Sequence, residues 1–309
     1  MSEQKIILVT GAGGYLGGEL VEQLLDLGRH QVLALTSNKE VPYSRFSKSE
    51  TFSCYGMDEW TSDVLPWDQV DIIIHCAFAR AYRPFVEIAS SLKFTNDLFN
   101  FAAQHSTASI VNISSQGVYG QEYSPLWTED TPVAPDSIYG FAKYSSELLL
   151  QNVLELSANN IYGTNIRLAS LTGGKNGLKP EVISKFVTHA IRGENIRIIG
   201  GEQVFSYIDV RDAVSALISL IDIDAKKWKT TYNLGSNQRY TIVELADTVI
   251  KAAETYCLAP IQIEFERKDI RQDVGMDSSQ FYCDMGWKPV HDMESTIASL
   301  FNYLRDRVG

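Results

Sequence analysis

The stretch Ile6-Ile7-Leu8-Val9-Thr10-Gly11-Ala12-Gly13-Gly14-Tyr15-Leu16-Gly17 decides the fold of this chain. Its apolar beginning predicts a buried strand, and the periodicity of residues 16–27 predicts an amphipathic helix directly after the glycines. The glycines permit a tight turn, a close approach of the backbone to a pyrophosphate, and close packing of the helix on the strand. Such a helix directs its N–H groups and positive dipole end at phosphates. We therefore expect a dinucleotide to contact Gly11, Gly13, Gly14, Tyr15 and Leu16.

Strand and helix patterns alternate through the first half of the chain. Strands are predicted at 6–10, 31–36, 70–75, 110–114 and 165–168, and the helical patterns between them include 16–27 and 92–104. This alternation predicts right-handed βαβ units, a parallel sheet covered on both faces, and so a doubly wound α/β domain of the Rossmann type.

A glycine-rich segment at 172–177 marks the expected boundary between two units. Beyond it, helices at 181–192, 209–221, 241–256 and 293–305 mix with short strands at 196–199 and 261–266. We expect a dinucleotide-binding domain in residues 1–170 and a smaller α/β substrate lobe in residues 171–207 and 235–309. The substrate should then bind between the two, at the carboxyl ends of the strands.

A second motif places Tyr139 and Lys143 four residues apart, on one face of a helix. A free tyrosine has a pKa of about 10, too high for ready proton exchange at neutral pH. A nearby ammonium group and a positive nicotinamide both lower that pKa. Together with Ser114-Ser115 at the end of a strand, the pair predicts a proton-transfer site beside the dinucleotide.

These residues, in this order, resemble the extended short-chain dehydrogenases/reductases, the NAD-dependent epimerase/dehydratase family that modifies sugar nucleotides. The resemblance also covers 72–77, Asn96, 114–120, the stretch from Glu129 to Lys143, 207–212 and 285–289.

The resemblance implies a role for each residue of the catalytic group. Ser115 hydrogen-bonds the substrate oxygen beside Tyr139, with Ser114 as the alternative. Lys143 both tunes Tyr139 and holds the nicotinamide ribose. Ala77 lies at the cofactor, and Asp58 either contacts the adenine or caps the segment that follows it.

The resemblance has implications for assembly as well. Residues 208–234 should pack back on the first domain. Two helices, near 92–104 and 139–156, should pair with a second copy of the chain in a homodimer.

The end of the second predicted strand, Leu35-Thr36-Ser37-Asn38-Lys39, bears on the choice of cofactor. An NAD-selective site usually has an acidic residue here that accepts a hydrogen bond from the ribose 2′-hydroxyl, and this stretch has none. Thr36, Ser37 and Asn38 would tolerate a 2′-phosphate, with Lys39 beside it. We therefore favour NADP(H), and NAD(H) is the alternative.

Departures from the family pattern reduce the number of reactions that we expect of this chain. The 4,6-dehydratases carry an Asp-Glu pair after the hydroxyl residue, whereas this chain has Gln116-Gly117, which disfavours dehydration. An arginine that often binds the substrate diphosphate is replaced by Phe205, and Arg271 resembles another phosphate-binding arginine.

Further candidate substrate contacts are Ser115 and Gln116, together with Arg80 and Arg83 in the loop after the strand predicted at 70–75. These two arginines either clamp the substrate or are solvated loop charges. We expect reduction of a keto sugar nucleotide. Epimerisation with retained NAD is the alternative, and a non-catalytic dinucleotide-sensing protein is the alternative from another class.

Composition excludes several other classes of protein. The net charge of −11 argues against nucleic acid as a partner, because a phosphate backbone is bound by clustered cations. Four cysteines without paired spacing predict no disulfide framework, and no apolar run approaches the roughly 20 residues that span a bilayer. With no room for a signal peptide before the first strand, a cytoplasmic protein is expected. The histidines are scattered, so no metal site is predicted, and His75 is expected to be a hydrogen-bonded core residue.

Overall fold

The computed structural model describes residues 4–105, 109–157, 161–175 and 181–308. Within these ranges the strands are β1 Ile6–Thr10, β2 Gln31–Leu35, β3 Phe52–Tyr55, β4 Ile72–His75, β5 Ser109–Ser115, β6 Gly163–Leu168, β7 Ser170–Thr172, β8 Ile196–Ile199, β9 Val204–Asp209, β10 Thr231–Leu234, β11 Arg239–Thr241 and β12 Ile263–Glu266. The α-helices are α1 Tyr15–Leu27, α2 Glu40–Phe46, α3 Phe85–His105, α4 Ile138–Leu156, α5 Val182–Arg192, α6 Val210–Asp222, α7 Ile242–Thr255, α8 Ser279–Met285 and α9 Met293–Val308.

Seven of the strands form one sheet in the order β10-β6-β5-β4-β1-β2-β3, and every neighbouring pair in it is parallel. The middle strands are continuous apolar runs because both of their faces are covered by helices. The strand order turns back at β1, which has β2 on one side and β4 on the other. The crevice at the carboxyl ends of β1 and β4 is therefore the binding crevice of a doubly wound sheet. The Rossmann-type α/β fold predicted from the sequence is confirmed.

Helix α1 begins with Gly14 in an extended conformation and ends at Gly28, which adopts the left-handed conformation typical of a C-terminal glycine. It buries Leu20 and Leu24 against the sheet. Helix α6 packs on α1, and β10 forms the edge of the sheet beside β6. Residues 210–234 therefore lie with the N-terminal half of the chain.

A second hydrophobic core is formed by α5, α7 and α9 with β8 and β9. The two short sheets on this side are β12-β8 and β11-β9-β7. Thr241 and Glu244 form a capping box that fixes the start of α7. This core borders the carboxyl end of the large sheet through β7 and β9, and so closes one side of the crevice.

Two predicted boundaries differ from the structure. The helix predicted at 92–104 begins at Phe85, directly after Pro84. Its first turn was missed because Phe85 and Val86 are apolar but exposed, so the apolar positions there do not follow the buried face of the helix. The loop predicted at 172–177 includes Thr172, the last residue of β7, and its residues 176 and 177 lie outside the described residues.

Candidate active site

The glycine turn between β1 and α1 fits a dinucleotide because side chains have no room there. Gly11 has a φ of +68°, and a Cβ atom on it would lie 2.8 Å from the backbone nitrogen of Ala77, just beyond β4. A Cβ atom on Gly17 would overlap the carbonyl oxygen of Gly11. Tight contact between β1, α1 and β4 therefore depends on glycine at these positions. No side chain caps the start of α1, whose first turn also lacks acidic residues, so its N–H groups suit a phosphate.

A cavity of about 560 Å³ runs along this turn. Its wall includes the predicted residues Gly11, Gly13, Gly14, Thr36, Ser37, Asn38 and Ala77. Ser90, Ser91 and Phe94 of α3 also line it, and the sequence analysis did not find them. Asp58 is exposed, and its neighbour Met57 faces this cavity instead.

The end of β2 holds an acidic group that the sequence analysis did not place there. Nζ of Lys39 donates a hydrogen bond to Glu59 Oε2 at 2.7 Å, and the same oxygen accepts from the Gly56 N–H at 2.6 Å. Thr36 Oγ1 accepts from the Asn38 N–H at 3.2 Å. Lys39 is thus already paired with a carboxylate beside the expected ribose position.

A second cavity, of about 380 Å³, brings Ser115, Tyr139 and Lys143 together with the glycine turn. Both cavities share Gly11, Gly14, Cys76 and Phe78 in their walls, so they are parts of one crevice. Helix α4 approaches the turn after β5 closely, because a Cβ atom on Gly140 would overlap the carbonyl oxygen of Gly117. This close approach brings Tyr139 to the end of β5.

Tyr139 is hydrogen-bonded to Ser115. The Ser115 oxygen accepts from the Gly117 N–H at 3.1 Å, so its O–H can donate to the phenol. Burial raises the pKa of Tyr139 to about 12, while the Ser115 hydrogen bond and the positive charge of Arg80 oppose that rise. The Tyr139 ring packs edge-on against Phe78, with 6.2 Å between the ring centroids.

Lys143 is buried at the floor of the same cavity. Its Nζ donates to the carbonyl oxygen of Ile113 at 2.7 Å and lies 3.9 Å from the Phe78 ring centroid. Burial lowers the pKa of Lys143 to about 7, and Cys76 and Glu147 oppose this shift. The Nζ atom lies 5.9 Å from the Tyr139 ring centroid. In this geometry, Ser115 and Arg80 are the groups that lower the pKa of Tyr139. The expected effect of Lys143 on that pKa stays a prediction.

The structure distinguishes the two candidate serines. Ser114 Oγ donates a hydrogen bond to Glu147 at 2.5 Å, whereas Ser115 bonds Tyr139. Ser115 is therefore the serine suited to hydrogen-bonding a substrate oxygen.

Two of the four side chains expected to contact substrate alongside Ser115 line the cavity, and two do not. Gln116 is buried and donates to Ser170 Oγ at 3.1 Å, and the Arg80 guanidinium lies 5.7 Å from the Tyr15 ring centroid. Arg83 does not line this cavity, because it pairs with Glu87 at 2.7 Å one helical turn away on the surface. Arg271 is 92% exposed, beside Asp269, and does not line it either. The sequence did not reveal these positions, because each depends on neighbours that the fold supplies.

The match to known proteins agrees with this crevice. A family model described as the NAD dependent epimerase/dehydratase family matches residues 7–235. The chain belongs to this family. It is thus an enzyme of the NAD-dependent epimerase/dehydratase type, which confirms the family expected from the sequence.

Individual relatives are distant but extend over nearly the whole chain. A UDP-glucose 4-epimerase of Dictyostelium discoideum is 26% identical, covering 93% of this chain and 92% of its own length. A dTDP-glucose 4,6-dehydratase of Streptomyces griseus is 23% identical, covering 95% of this chain and 92% of its own length. The structure of a UDP-glucuronic acid 4-epimerase from Bacillus cereus matches with a TM-score of 0.85 at 18% identity, covering 97% of this chain and 99% of that one. This last likeness supports the fold.

Within this family fold, Glu181 and Ser170 also line the second cavity, which holds Tyr139, and sequence reasoning missed both. Ser170 lies just beyond β6, so the rule that ligands bind at strand carboxyl ends could have found it. Glu181 immediately precedes α5, but its side chain does not cap that helix. Burial raises the pKa of Glu181 to about 7, and the charge of Arg80 opposes the rise. No sequence signal places this carboxyl in the same cavity as Tyr139, because it comes from the start of α5, a helix of the second core.

His75 is the hydrogen-bonded core residue that the sequence predicted. Its Nδ1 lies 2.8 Å from Thr10 Oγ1 and its Nε2 lies 2.8 Å from Thr95 Oγ1. Burial lowers the pKa of His75 to about 3, so the imidazole is neutral. Among the described residues, no three histidine, cysteine or acidic side chains converge as a metal site would require. None of the described helices is both long enough and apolar enough to cross a bilayer.

Proposed function

We propose that the protein transfers hydride at a carbinol or keto carbon of a sugar nucleotide, with Ser115, Tyr139 and Lys143 as its catalytic residues. The observation that carries this proposal is the hydrogen-bonded Ser115–Tyr139 pair in a cavity that shares its wall with the glycine turn. The named relatives act on UDP- and dTDP-linked sugars, which supports a sugar nucleotide as substrate.

In the proposed mechanism, the bound nicotinamide dinucleotide supplies the hydride acceptor or donor. When a keto carbon is reduced, the Tyr139 phenol donates its proton to the substrate oxygen as the carbon gains hydride. In alcohol oxidation, the Tyr139 phenolate, which a positive nicotinamide would favour, accepts the O–H proton as the C–H bond gives up hydride. Ser115 donates a hydrogen bond to the same substrate oxygen. Lys143 holds the ribose hydroxyls, and the buried surroundings exclude water.

We propose epimerisation with retained NAD as the net reaction, since 4-epimerases are among the relatives and the solved neighbours. Dehydration is disfavoured because Gln116 donates its amide to Ser170 and has no acidic proton to transfer. The ketoreductase expected from the sequence is the second candidate. It is favoured by the lack of a carboxylate at positions 36–39, because exchangeable NADP(H) suits a net reductase.

The cofactor preference stays a prediction. A 2′-phosphate could pair with Lys39 only in competition with Glu59, whose carboxylate lies 2.7 Å from the ammonium. This competition supports NAD(H) as the retained cofactor of an epimerase, against the preference for NADP(H) expected from Thr36, Ser37 and Asn38.

We also propose that Arg80, Gln116 and Glu181 contact the sugar, because all three line the catalytic cavity. A carboxylate at Glu181 accepts hydrogen bonds from sugar hydroxyls and repels a hexuronate. Neutral hexoses are therefore the favoured substrates.

A homodimer is proposed from the surface of α3 and α4, which pack side by side. Phe85 and Val86 on α3 are 65% and 67% exposed, and Phe141 and Leu148 on α4 are 56% and 46% exposed. Exposed apolar side chains on two helices that pack side by side are typical of a subunit interface.

One assay tests the proposed function. Purified protein is incubated with UDP-glucose, UDP-galactose and keto sugar nucleotides, with and without added NAD(P)H. Interconversion of the two alcohols without added cofactor supports the epimerase, and stoichiometric NADPH oxidation supports the reductase. A protein that binds the cofactor but converts none of these sugars contradicts the proposal and favours a dinucleotide-sensing protein.

A further inference from the structure

A buried ion pair lies directly behind the catalytic residues. Arg167 on β6 donates to Glu147 on α4 from Nη2 at 2.8 Å and from Nε at 3.1 Å, in a forked arrangement. Their side chains are 7% and 5% exposed. Replacing such a pair by apolar residues is often neutral or stabilising, so its presence calls for a reason other than stability.

Hydrogen bonds hold the pair in one arrangement. Arg167 Nη1 donates to the Tyr119 hydroxyl at 2.9 Å, and that hydroxyl donates to Asn233 Oδ1 at 2.7 Å. Glu147 Oε1, which accepts from Arg167 Nε, also accepts from Ser114 Oγ at 2.5 Å. The Glu147 carboxylate is therefore fixed relative to β5, β6 and β10 together.

The position of Glu147 connects it to both catalytic elements. Ser114 lies between Ile113, whose carbonyl accepts from Lys143, and Ser115, which bonds Tyr139. Glu147 itself lies one helical turn after Lys143 on α4. A single carboxylate thus joins the end of β5 to the helix that carries Tyr139 and Lys143.

We infer that Glu147, backed by Arg167, is a positioning residue that keeps Lys143 charged and holds the end of β5 in register with α4. This inference rests on the proposed function of Lys143. Burial lowers the pKa of Lys143 to about 7, and Glu147 is one of two groups that oppose the shift. The other is Cys76, whose own pKa burial raises to about 12.

The other titratable groups described around Lys143 are neutral or positively charged. Glu147 is therefore the negative charge that stabilises its ammonium group. His75, on the β4 side, is neutral because burial lowers its pKa to about 3. Tyr139, on the same helix, stays protonated because burial raises its pKa to about 12. Arg167, the positively charged partner of Glu147, weakens the attraction between Glu147 and Lys143.

The test is the pH dependence of NADH binding, followed by nicotinamide fluorescence in the wild type and in Glu147→Gln. Binding of wild type should weaken as the pH rises through the Lys143 transition, and Lys143→Met should abolish that transition. A unit charge one helical turn away, partly offset by Arg167, shifts a pKa by about one unit. The Glu147→Gln midpoint should therefore lie about one pH unit below that of the wild type.

Two variants separate this role from a structural one. Ser146→Ala removes another buried link between α4 and β5, in which Asn112 Nδ2 donates to Ser146 Oγ at 3.0 Å, and should leave the midpoint unchanged. If Glu147→Gln does not fold, Glu147→Leu combined with Arg167→Met replaces both charges with apolar groups and should show the same downward direction.

The outcomes also separate this inference from the proposed function, because NADH binding requires no sugar. A midpoint that shifts downward in a protein that converts no sugar nucleotide supports the role of Glu147 and contradicts the proposed reaction. An unshifted midpoint in folded Glu147→Gln overturns the role of Glu147, whatever the turnover.

Discussion

Replacing Tyr139 with phenylalanine removes one hydroxyl and leaves the rest of the cavity in place. The ring should keep its edge-on contact with Phe78, at 6.2 Å between centroids. The lost hydrogen bond to Ser115 is worth about 1 kcal/mol, partly offset because a buried hydroxyl no longer needs a partner. The free energy of unfolding should therefore change by less than about 1 kcal/mol.

The effect of Tyr139→Phe on catalysis should be far larger. Loss of a positioned acid–base group lowers turnover by about 10²–10⁴-fold, which corresponds to about 3–5 kcal/mol of the barrier. The cofactor should bind with nearly the same affinity, because the glycine turn and Lys143 are unchanged.

Turnover is measured with the nucleotide sugar that the wild type converts, cofactor affinity by fluorescence titration, and stability by thermal unfolding. Tyr144→Phe, on the same helix and outside the catalytic cavity, is the matched control and should retain full activity. Near-native turnover in Tyr139→Phe, with the cofactor bound, would refute the proton-transfer role.

Three further predictions concern specificity and assembly. The pKa of Glu181 is raised to about 7, so its carboxyl is charged above that pH and neutral below it. Discrimination of UDP-glucose over UDP-glucuronate should therefore grow between pH 6 and pH 8, by up to about tenfold for one charge. Glu181→Gln should remove that pH dependence, and its persistence in the variant would rule out Glu181 as the cause. For the cofactor, Thr36→Asp should weaken NADP(H) binding relative to NAD(H), since a carboxylate repels the 2′-phosphate. Glu59→Gln should strengthen NADP(H) binding by releasing Lys39, and parallel titrations that give equal affinities for wild type and Glu59→Gln would contradict this account. For assembly, light scattering should give about twice the chain mass of 34.5 kDa, and Phe141→Lys should shift the protein toward monomer. A wild-type protein that is monomeric at micromolar concentration would exclude the proposed dimer.

The sequence predicted those parts of the site that depend on local spacing. Gly11 and Gly14 follow a strand directly, and Tyr139 and Lys143 lie four residues apart on a helix, so both motifs were readable in the chain. The end of β5 was also predicted, because its apolar run stops at Ser114 and Ser115. The order of the motifs was sufficient to indicate the family.

Contacts between distant parts of the chain could not be predicted in the same way. Glu59, in the segment after β3, pairs with Lys39, in the segment after the neighbouring strand β2, and Glu181 enters the cavity from the start of α5. Arg83 and Arg271 looked equivalent to Arg80 in sequence, yet they lie outside the cavity because of a local ion pair and an exposed segment. The residues next to a charged side chain in sequence do not predict where it lies, because its position depends on the partner that the folded chain brings near it.

By itself, the sequence determined the strand–turn–helix that fits a dinucleotide and the tyrosine–lysine pair, because backbone hydrogen bonding and glycine conformations are set within a few residues. The tertiary structure decided which serine bonds Tyr139, and that Glu147 pairs with Arg167 one helical turn from Lys143. It also decided that a carboxyl group at Glu181 lines the same cavity. These features required elements from separate parts of the chain to pack together, since burial and opposing charges set the pKa of each group only once its neighbours are in place.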